Sequence, residues 1–581
     1  MKKFSKVAAL VLACVMILTA CASTPEAPVT PPADTGTGTT QDTTQDATPA
    51  DDPAEDDGRE IVGNVYRTGL PIVRERESFT IFVDDAGTPE EKVMYQIWAE
   101  ETNVDVNLEL LPHPAVVERF NIMMNAGDYP DVVGGWLINA GRLMELGMRD
   151  RIAIPLGDLI AEWGPNMEAV LDLPNVRPTM TLPDGNIYSI PYLVGEPLVT
   201  FLPWINQTWL DNLGLSLPRT VDEFTNILRA FRDGDPRGDG VSVIPFSTDP
   251  QNNTIATMTG WWGLNAAGQS PYPYHAYING EIIFAGRSQE FRDMLTWFSG
   301  LWAEGLLDPE MFTQDRTLWD ANGRSGLFGV STGYGPGDFS DSFEETLPSG
   351  EVIRRTHYVP LPVLRADESV TPVWRRATEK VGINADGHPV GATIFRSQMI
   401  ITDNAENPPM IIRFIDHIFD LENSVQATWG PIGGRVERGP EPGTFIAVPE
   451  ETLSDEILDR YAWGRVYTQA LPRFVPPGFQ LIQPEGAIRG IDDTGVASAL
   501  YEPYLTTIMP TLWLPPEDIS EFSQLHAEVN TTYMVEFIAN VTVGNLDITS
   551  DAVWERHLSD LDALGQPRLT EIINTALRNR G

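Results

Sequence analysis

Phe79-Thr80-Ile81-Phe82-Val83-Asp84-Asp85-Ala86-Gly87 is a β-rich run closed by an acidic turn that contains glycine. Behind it, Glu90 to Glu101 carries Val93, Met94, Ile97 and Trp98 at helical spacing, and Val104-Asp105-Val106-Asn107-Leu108 alternates as a strand does. A second helix is expected over Val116 to Ala126. Gly127-Asp128-Tyr129-Pro130 then turns the chain into a short buried strand, Asp131-Val132-Val133. Strand, helix, strand, helix, strand predicts an α/β fold with a parallel sheet covered by helices. Ligands on such sheets sit beyond the carboxyl ends of the strands, so Asp84, Asp85 and the loop after Val133 are expected wall positions.

Upstream of this stretch, residues 22–58 are rich in Thr, Pro, Ala, Asp and Glu, with no aromatic residue and no base until Arg59. Such a segment buries too little apolar surface to offset its ordering entropy and is expected to be an acidic, extended tether. Before it stand Lys2, Lys3 and Lys6, an apolar run from Val7 to Leu18, and Leu18-Thr19-Ala20-Cys21. The apolar run falls short of the roughly 20 residues a transmembrane helix needs. It resembles a bacterial lipoprotein leader, which implies that Cys21 becomes the lipidated first residue of a protein working outside the cytoplasm. An ordinary secretory leader is the other reading. Cys14 is lost with either leader, so the mature chain has no thiol pair and no cysteine metal site and relies on a hydrophobic core.

The formal charge of −43 over 581 residues, with Lys92 and Lys380 the only lysines past the leader, argues against nucleic acid and anionic lipid as partners. Length on its own suggests about three or four units of about 150 residues.

Several further strings follow in order along most of the mature chain. Asn125-Ala126-Gly127-Asp128-Tyr129-Pro130-Asp131 is one, and Leu217-Pro218-Arg219-Thr220-Val221-Asp222-Glu223-Phe224 within Trp204 to Phe231 is another. Trp302-Ala303-Glu304-Gly305-Leu306-Leu307-Asp308-Pro309, Met410 to Asp416, Trp429-Gly430-Pro431-Ile432-Gly433 and the ending from Val553 to Gly565 complete the series. Taken together they resemble the family 1 extracellular solute-binding proteins of ABC importers, in their long lipoprotein branch. The resemblance implies a two-lobe, periplasmic-binding-protein-like (type II) α/β fold with a hinge and an inter-lobe ligand cleft that closes about the ligand. The implied division is 59–195 with 350–420 for lobe 1, and 196–349 with 421–581 for lobe 2. The implied partners are an oligosaccharide, or another small-molecule ligand such as a peptide, polyol or sugar acid, and a membrane permease, with the membrane reached through the lipid anchor alone, and the implied state is a monomer.

The chain holds 15 Trp and 15 Tyr, several of them in loops rich in glycine and proline. Aromatic faces cover the C–H faces of a pyranose, and nearby carboxylates and amides serve its hydroxyls. Trp136, Trp204, Trp261, Trp262, Tyr334 and Trp429 are therefore the candidate stacking residues; for each, a place in the core or hinge is the competing explanation, most of all for Trp262. The family resemblance adds Asn139, near the position of a sugar-binding acid, and Glu196, near the crossover between lobes. It also places Trp136 and Tyr334 where stacking aromatics stand.

Asp233-Gly234-Asp235-Pro236-Arg237-Gly238-Asp239-Gly240 resembles a calcium turn of the same relatives. Asp235 and Asp239 are the candidate ligands, but Arg237 occupies the third ligand position and Val243 the ninth. An acidic turn without metal is the alternative, and no other cofactor is expected. Gly329-Val330-Ser331-Thr332-Gly333 matches the nucleophile elbow of hydrolases, yet Tyr334-Gly335-Pro336-Gly337 breaks the helix that must follow. The histidines show no metal-ligand spacing. A binding protein rather than an enzyme is thus expected. A lipid-anchored glycoside hydrolase using paired carboxylates is the alternative, and an adhesion scaffold is disfavoured by the lack of repeats.

Overall fold

The structure, a computed structural model, describes residues 58–579 apart from 86, 113–114, 251–254, 267–271, 385, 396–397, 463, 469–470, 486, 488, 508 and 511. The leader, Cys21 and the tether lie outside the described residues.

β1 (Glu77–Asp84), α1 (Val93–Thr102), β2 (Val104–Leu111), α2 (Ala115–Ala126) and β3 (Val132–Gly134) follow in the expected order. β1 runs between β2 and β3, parallel to both, with Phe82 opposite Val133. Alternation along β1 sends Phe79, Ile81 and Val83 into one core and Phe82 into another, so the sheet is apolar on both faces, as covered parallel sheets are.

The chain then enters a second body through β4 (Tyr192–Glu196). It continues as β5 (Leu202–Asn206), α3 (Val221–Asp233), β6 (Ile244–Phe246), α4 (Gln289–Ala303), α5 (Arg316–Arg324), β7 (Phe328–Gly333) and β8 (Tyr358–Pro360). Its sheet has the order β8-β5-β7-β6, with β6 and β7 parallel and β5 antiparallel to β7 and β8. α3 starts where the Thr220 hydroxyl accepts the Glu223 N–H at 3.1 Å and the Glu223 carboxylate accepts the Arg219 N–H at 2.7 Å, a reciprocal cap. Val221, Phe224, Ile227, Leu228 and Phe231 then form its buried stripe.

β9 (Glu379–Ile383) and β10 (Pro389–Phe395) join β4 in a three-stranded antiparallel sheet, and β11 (Met399–Ile401) returns to pair antiparallel with β3. This third sheet is where the chain crosses between lobes. α6 (Pro408–Ile418) covers the first core, which gathers Phe79, Trp98, Phe414 and Tyr467. The larger core centres on Trp204, Phe246, Phe298 and Trp319, and reaches Phe82 and Val133 on the other face of the first sheet. α7 (Asp493–Tyr501) and the helices from Ile519 to Arg578 pack on that larger core.

Two lobes, not three or four units, account for the described chain, because each lobe is assembled from separate segments. The crossovers also fall elsewhere than at residues 350 and 421. Tyr358–Pro360 pairs with β5 in the second sheet, and Val466, Tyr467 and Leu471 pack in the first core.

Candidate functional site

Glu196 ends β4 and Tyr334 follows the last residue of β7, so a hinge strand and the second sheet each deliver a polar side chain to the same place. The Tyr334 hydroxyl donates to the Glu196 carboxylate at 2.5 Å. The Tyr334 N–H donates to Asp338 Oδ2 at 2.8 Å, and its ring meets Phe201 edge-on at 5.9 Å. A Cβ on Gly333 would stand 2.9 Å from Asp338 Oδ2 and 3.2 Å from the Gly335 carbonyl, so the loop returns close to the strand end here. Burial pushes the Glu196 carboxyl up from its ordinary range, and the Tyr334 hydrogen bond pulls the other way. The Tyr334 phenol is pushed up by burial and by the charge of Glu196, which keeps it the donor.

This pair borders a cavity of about 310 Å³ between the lobes, at the small end of the sizes common for ligand sites. Trp429, Arg473 and Phe479 line it from the first lobe and the loops packed on that lobe, Tyr192, Asn384 and Val390 from the hinge sheet and its hairpin, and Asp492 and Thr494 from the start of α7. Trp429 and Phe479 lie 5.7 Å apart, tilted by 41°. The buried Arg473 donates through Nε to Thr428 Oγ1 at 3.0 Å. Asn384 Nδ2 donates to Asp492 Oδ2 at 3.0 Å, the oxygen that also faces His388 Nδ1 at 3.2 Å.

From the cavity wall an aromatic series runs outward. Tyr192 stacks on Phe395 at 5.4 Å, and Phe395 meets Trp136 edge-on at 5.6 Å. Trp136 is 57% exposed. It is presented by a turn in which Gly135 has φ +83° and the Trp136 N–H donates to Asp84 Oδ1 at 2.9 Å. A Cβ on Gly135 would lie 1.8 Å from that oxygen. Apolar rings beside a carboxylate, a guanidinium and amides suit a polyhydroxylated ligand with C–H faces.

Of the residues nominated by sequence, Glu196, Tyr334 and Trp429 meet in the cavity wall, and Trp136 stands exposed at the outer end of the aromatic series. The others have structural occupations. Trp204 and Trp261 are wholly buried in the larger core, and Trp262 leans on Trp297 at 5.8 Å. Asn139 caps the helix that follows it, accepting the Arg142 N–H at 2.9 Å. Asp85 is paired with buried Lys92 at 2.7 Å rather than open to the cleft. Tyr192, Asn384, Arg473, Phe479 and Asp492 were not foreseen. Phe479 sits in Val475-Pro476-Pro477-Gly478-Phe479, the loop context used to nominate Trp and Tyr, and would have been found had Phe been weighed with them. Ser331 lies within β7, fully buried opposite Trp204, and the strand runs on to Gly333, so no nucleophile elbow forms.

Residues 83–282 match the sequence profile of the family described as bacterial extracellular solute-binding protein. The chain is 25% identical over 508 residues to the fructooligosaccharide ABC transporter substrate-binding protein FusA of Streptococcus pneumoniae, covering 82% of this chain and 85% of that one. It is 26% identical over 265 residues to the lipoprotein LipO of Bacillus subtilis, covering 43% and 49% respectively. Among solved structures, FusA in complex with kestose superposes with a TM-score of 0.71 at 23% identity, over 86% of this chain and 99% of that one. A human-milk-oligosaccharide (HMO) binding solute-binding protein from Bifidobacterium longum infantis superposes at 0.68 and 18% identity, over 86% and 98%. The structural likeness carries the two-lobe fold. The matching profile is described as one of solute-binding proteins, and these relatives are named as binding proteins or lipoproteins rather than enzymes.

The calcium-like turn carries Arg237 where a calcium loop places its third oxygen ligand, and that guanidinium faces Asp239. Asp235 Oδ1 accepts the N–H groups of Gly238 and Gly240, both at 3.1 Å, and the Asp239 carboxylate is engaged by the Val241 N–H and by Arg237. Among the described residues no group of three or more His, Cys, Asp or Glu side chains is placed to hold a metal ion.

Proposed function

We propose that this protein captures an oligosaccharide between its lobes and delivers it to the membrane permease of an ABC importer, tethered to the outer face of the membrane by lipid on Cys21. The observation that carries the reading is the cavity itself. Tyr334 and Asp492 from the second lobe and Trp429 and Arg473 from the first line it together, with Tyr192, Glu196 and Asn384 at the hinge, so both lobes contribute to one site. Closure about a ligand is the behaviour such a division permits, and the Tyr334–Glu196 bond then ties the second lobe to the hinge strand. The saccharide class is supported by the ring faces and by relatives whose names specify fructooligosaccharide and human milk oligosaccharide. Among the described residues no helix is long and apolar enough to cross a membrane, and membrane attachment is assigned to the lipid alone. LipO, a relative named as a lipoprotein, supports that anchor.

Trp429→Ala tests the site. Its indole is only partly buried and packs on Phe479, so its loss is expected to leave the fold in place. Affinity for the saccharide that best binds the unaltered protein, chosen from fructooligosaccharides, maltodextrins and oligogalacturonides, is expected to fall about 30-fold. That corresponds to about 2 kcal/mol for an aromatic anchor in a desolvated pocket. Calorimetric titration reads the change; affinity equal to that of the unaltered protein would exclude this cavity as the binding site.

A further inference from the structure

Arg237 stands at the third position of the turn Asp235–Gly240, where a calcium loop carries an oxygen ligand. Its guanidinium collects oxygens. Nε and Nη2 face Asp239 Oδ2 at 3.1 and 3.0 Å, and Nη1 donates to the carbonyls of Ser325 and Gly326 at 3.0 and 3.1 Å. Those carbonyls follow directly on α5, at the end of a helix where carbonyl groups lack partners within the helix and a cation is favoured. We infer that Arg237 is a built-in replacement for a bound cation, and that this turn is held permanently in its folded form without calcium.

The two segments that Arg237 joins lead into neighbouring strands. The turn runs into β6, α5 runs into β7, and the Ile244 N–H donates to the Leu327 carbonyl at 2.9 Å where the two strands begin. β7 ends at Gly333, directly before Tyr334, so the guanidinium braces the end of the sheet opposite to the ligand cavity. The rest of the turn is satisfied internally. Asp235 Oδ1 serves two N–H groups, Asp239 Oδ1 accepts the Val241 N–H at 3.0 Å, and Asn212 Nδ2 donates to the Pro236 carbonyl at 2.9 Å. A divalent cation entering here would compete with the guanidinium for Asp239 Oδ2 and sit beside a fixed positive charge. Arginine suits the task better than lysine because its planar fork makes several directed bonds at once.

Thermal unfolding of the purified protein in EDTA and in millimolar calcium chloride tests this. The unaltered protein is expected to unfold at the same temperature in both. Arg237→Ala is expected to unfold about 2 °C or more below it, equally in both media. Arg237→Lys, which keeps the charge but not the fork, is expected to recover only part of the loss and serves if the alanine variant does not fold. A rise in Tm caused by calcium and abolished by Asp239→Asn would overturn the inference. So would an Arg237→Ala protein, or in its place an Arg237→Lys protein, with the Tm of the unaltered one.

Discussion

Trp204→Ala is expected to lose about 3–5 kcal/mol of folding free energy, the cost of emptying a large buried aromatic site. Trp204 is wholly inaccessible, sits in β5 between β7 and β8, and lies opposite Ser331 and Pro360. Its indole N–H donates to the Gly333 carbonyl at 3.1 Å, so truncation leaves both a cavity and a buried acceptor without its donor. The residue was nominated for ligand stacking, and the structure places it in the larger core. Urea denaturation separates these roles. A core residue shifts the midpoint by several kcal/mol, whereas a stacking residue loses affinity at nearly constant stability, and a Trp204→Ala protein within 1 kcal/mol of the parent would contradict its placement.

Lys92→Met is expected to cost a similar amount, about 3–5 kcal/mol, because it leaves a carboxylate buried without its cation. Lys92 is 1% exposed. Its ammonium donates to Asp85 Oδ1 at 2.7 Å and to the Gly464 carbonyl at 2.6 Å, while the Met94 N–H reaches the Val466 carbonyl at 3.1 Å. One lysine therefore joins the turn after β1, the start of α1 and a segment more than 300 residues later. Adding Asp85→Asn removes the stranded charge, so Lys92→Met with Asp85→Asn should recover most of the loss in the same urea experiment. A double variant as unstable as the single one would show that the Gly464 bond, not the charge pair, carries the effect.

These two positions show what was legible and what was not. β1, α1, β2 and α2 were readable because each has a clear period of 2 or 3.6 over enough residues, and the short β3 because the turn signal Gly127-Asp128-Tyr129-Pro130 announces it. β11 was not, since a three-residue run gains strand character only by pairing with β3, over 260 residues away. The tryptophans divide for the same reason. Trp261-Trp262-Gly263 and Trp429-Gly430-Pro431 are alike as strings, yet α4 brings Trp297 down on the first pair, whereas Trp429 is left on a cavity wall. Asp85 carried a signal that was passed over. One of only two lysines past the leader lies seven residues beyond it, and a carboxylate near so scarce a cation is a candidate for pairing before it is one for ligand. Glu196 was reached through family resemblance alone and Tyr334 also through its Gly/Pro-rich loop, but nothing within either local string shows that a hinge strand and a β7 loop meet.

The central claim is that a saccharide is held, unaltered, between the two lobes. Its most direct measurement is calorimetric titration of the protein with the oligosaccharide panel, with free reducing ends assayed in the same samples after hours of incubation. Saturable binding of one saccharide per protein with no release of reducing ends is the result predicted. Release of reducing ends, or no saturable heat with any member of the panel, would contradict it.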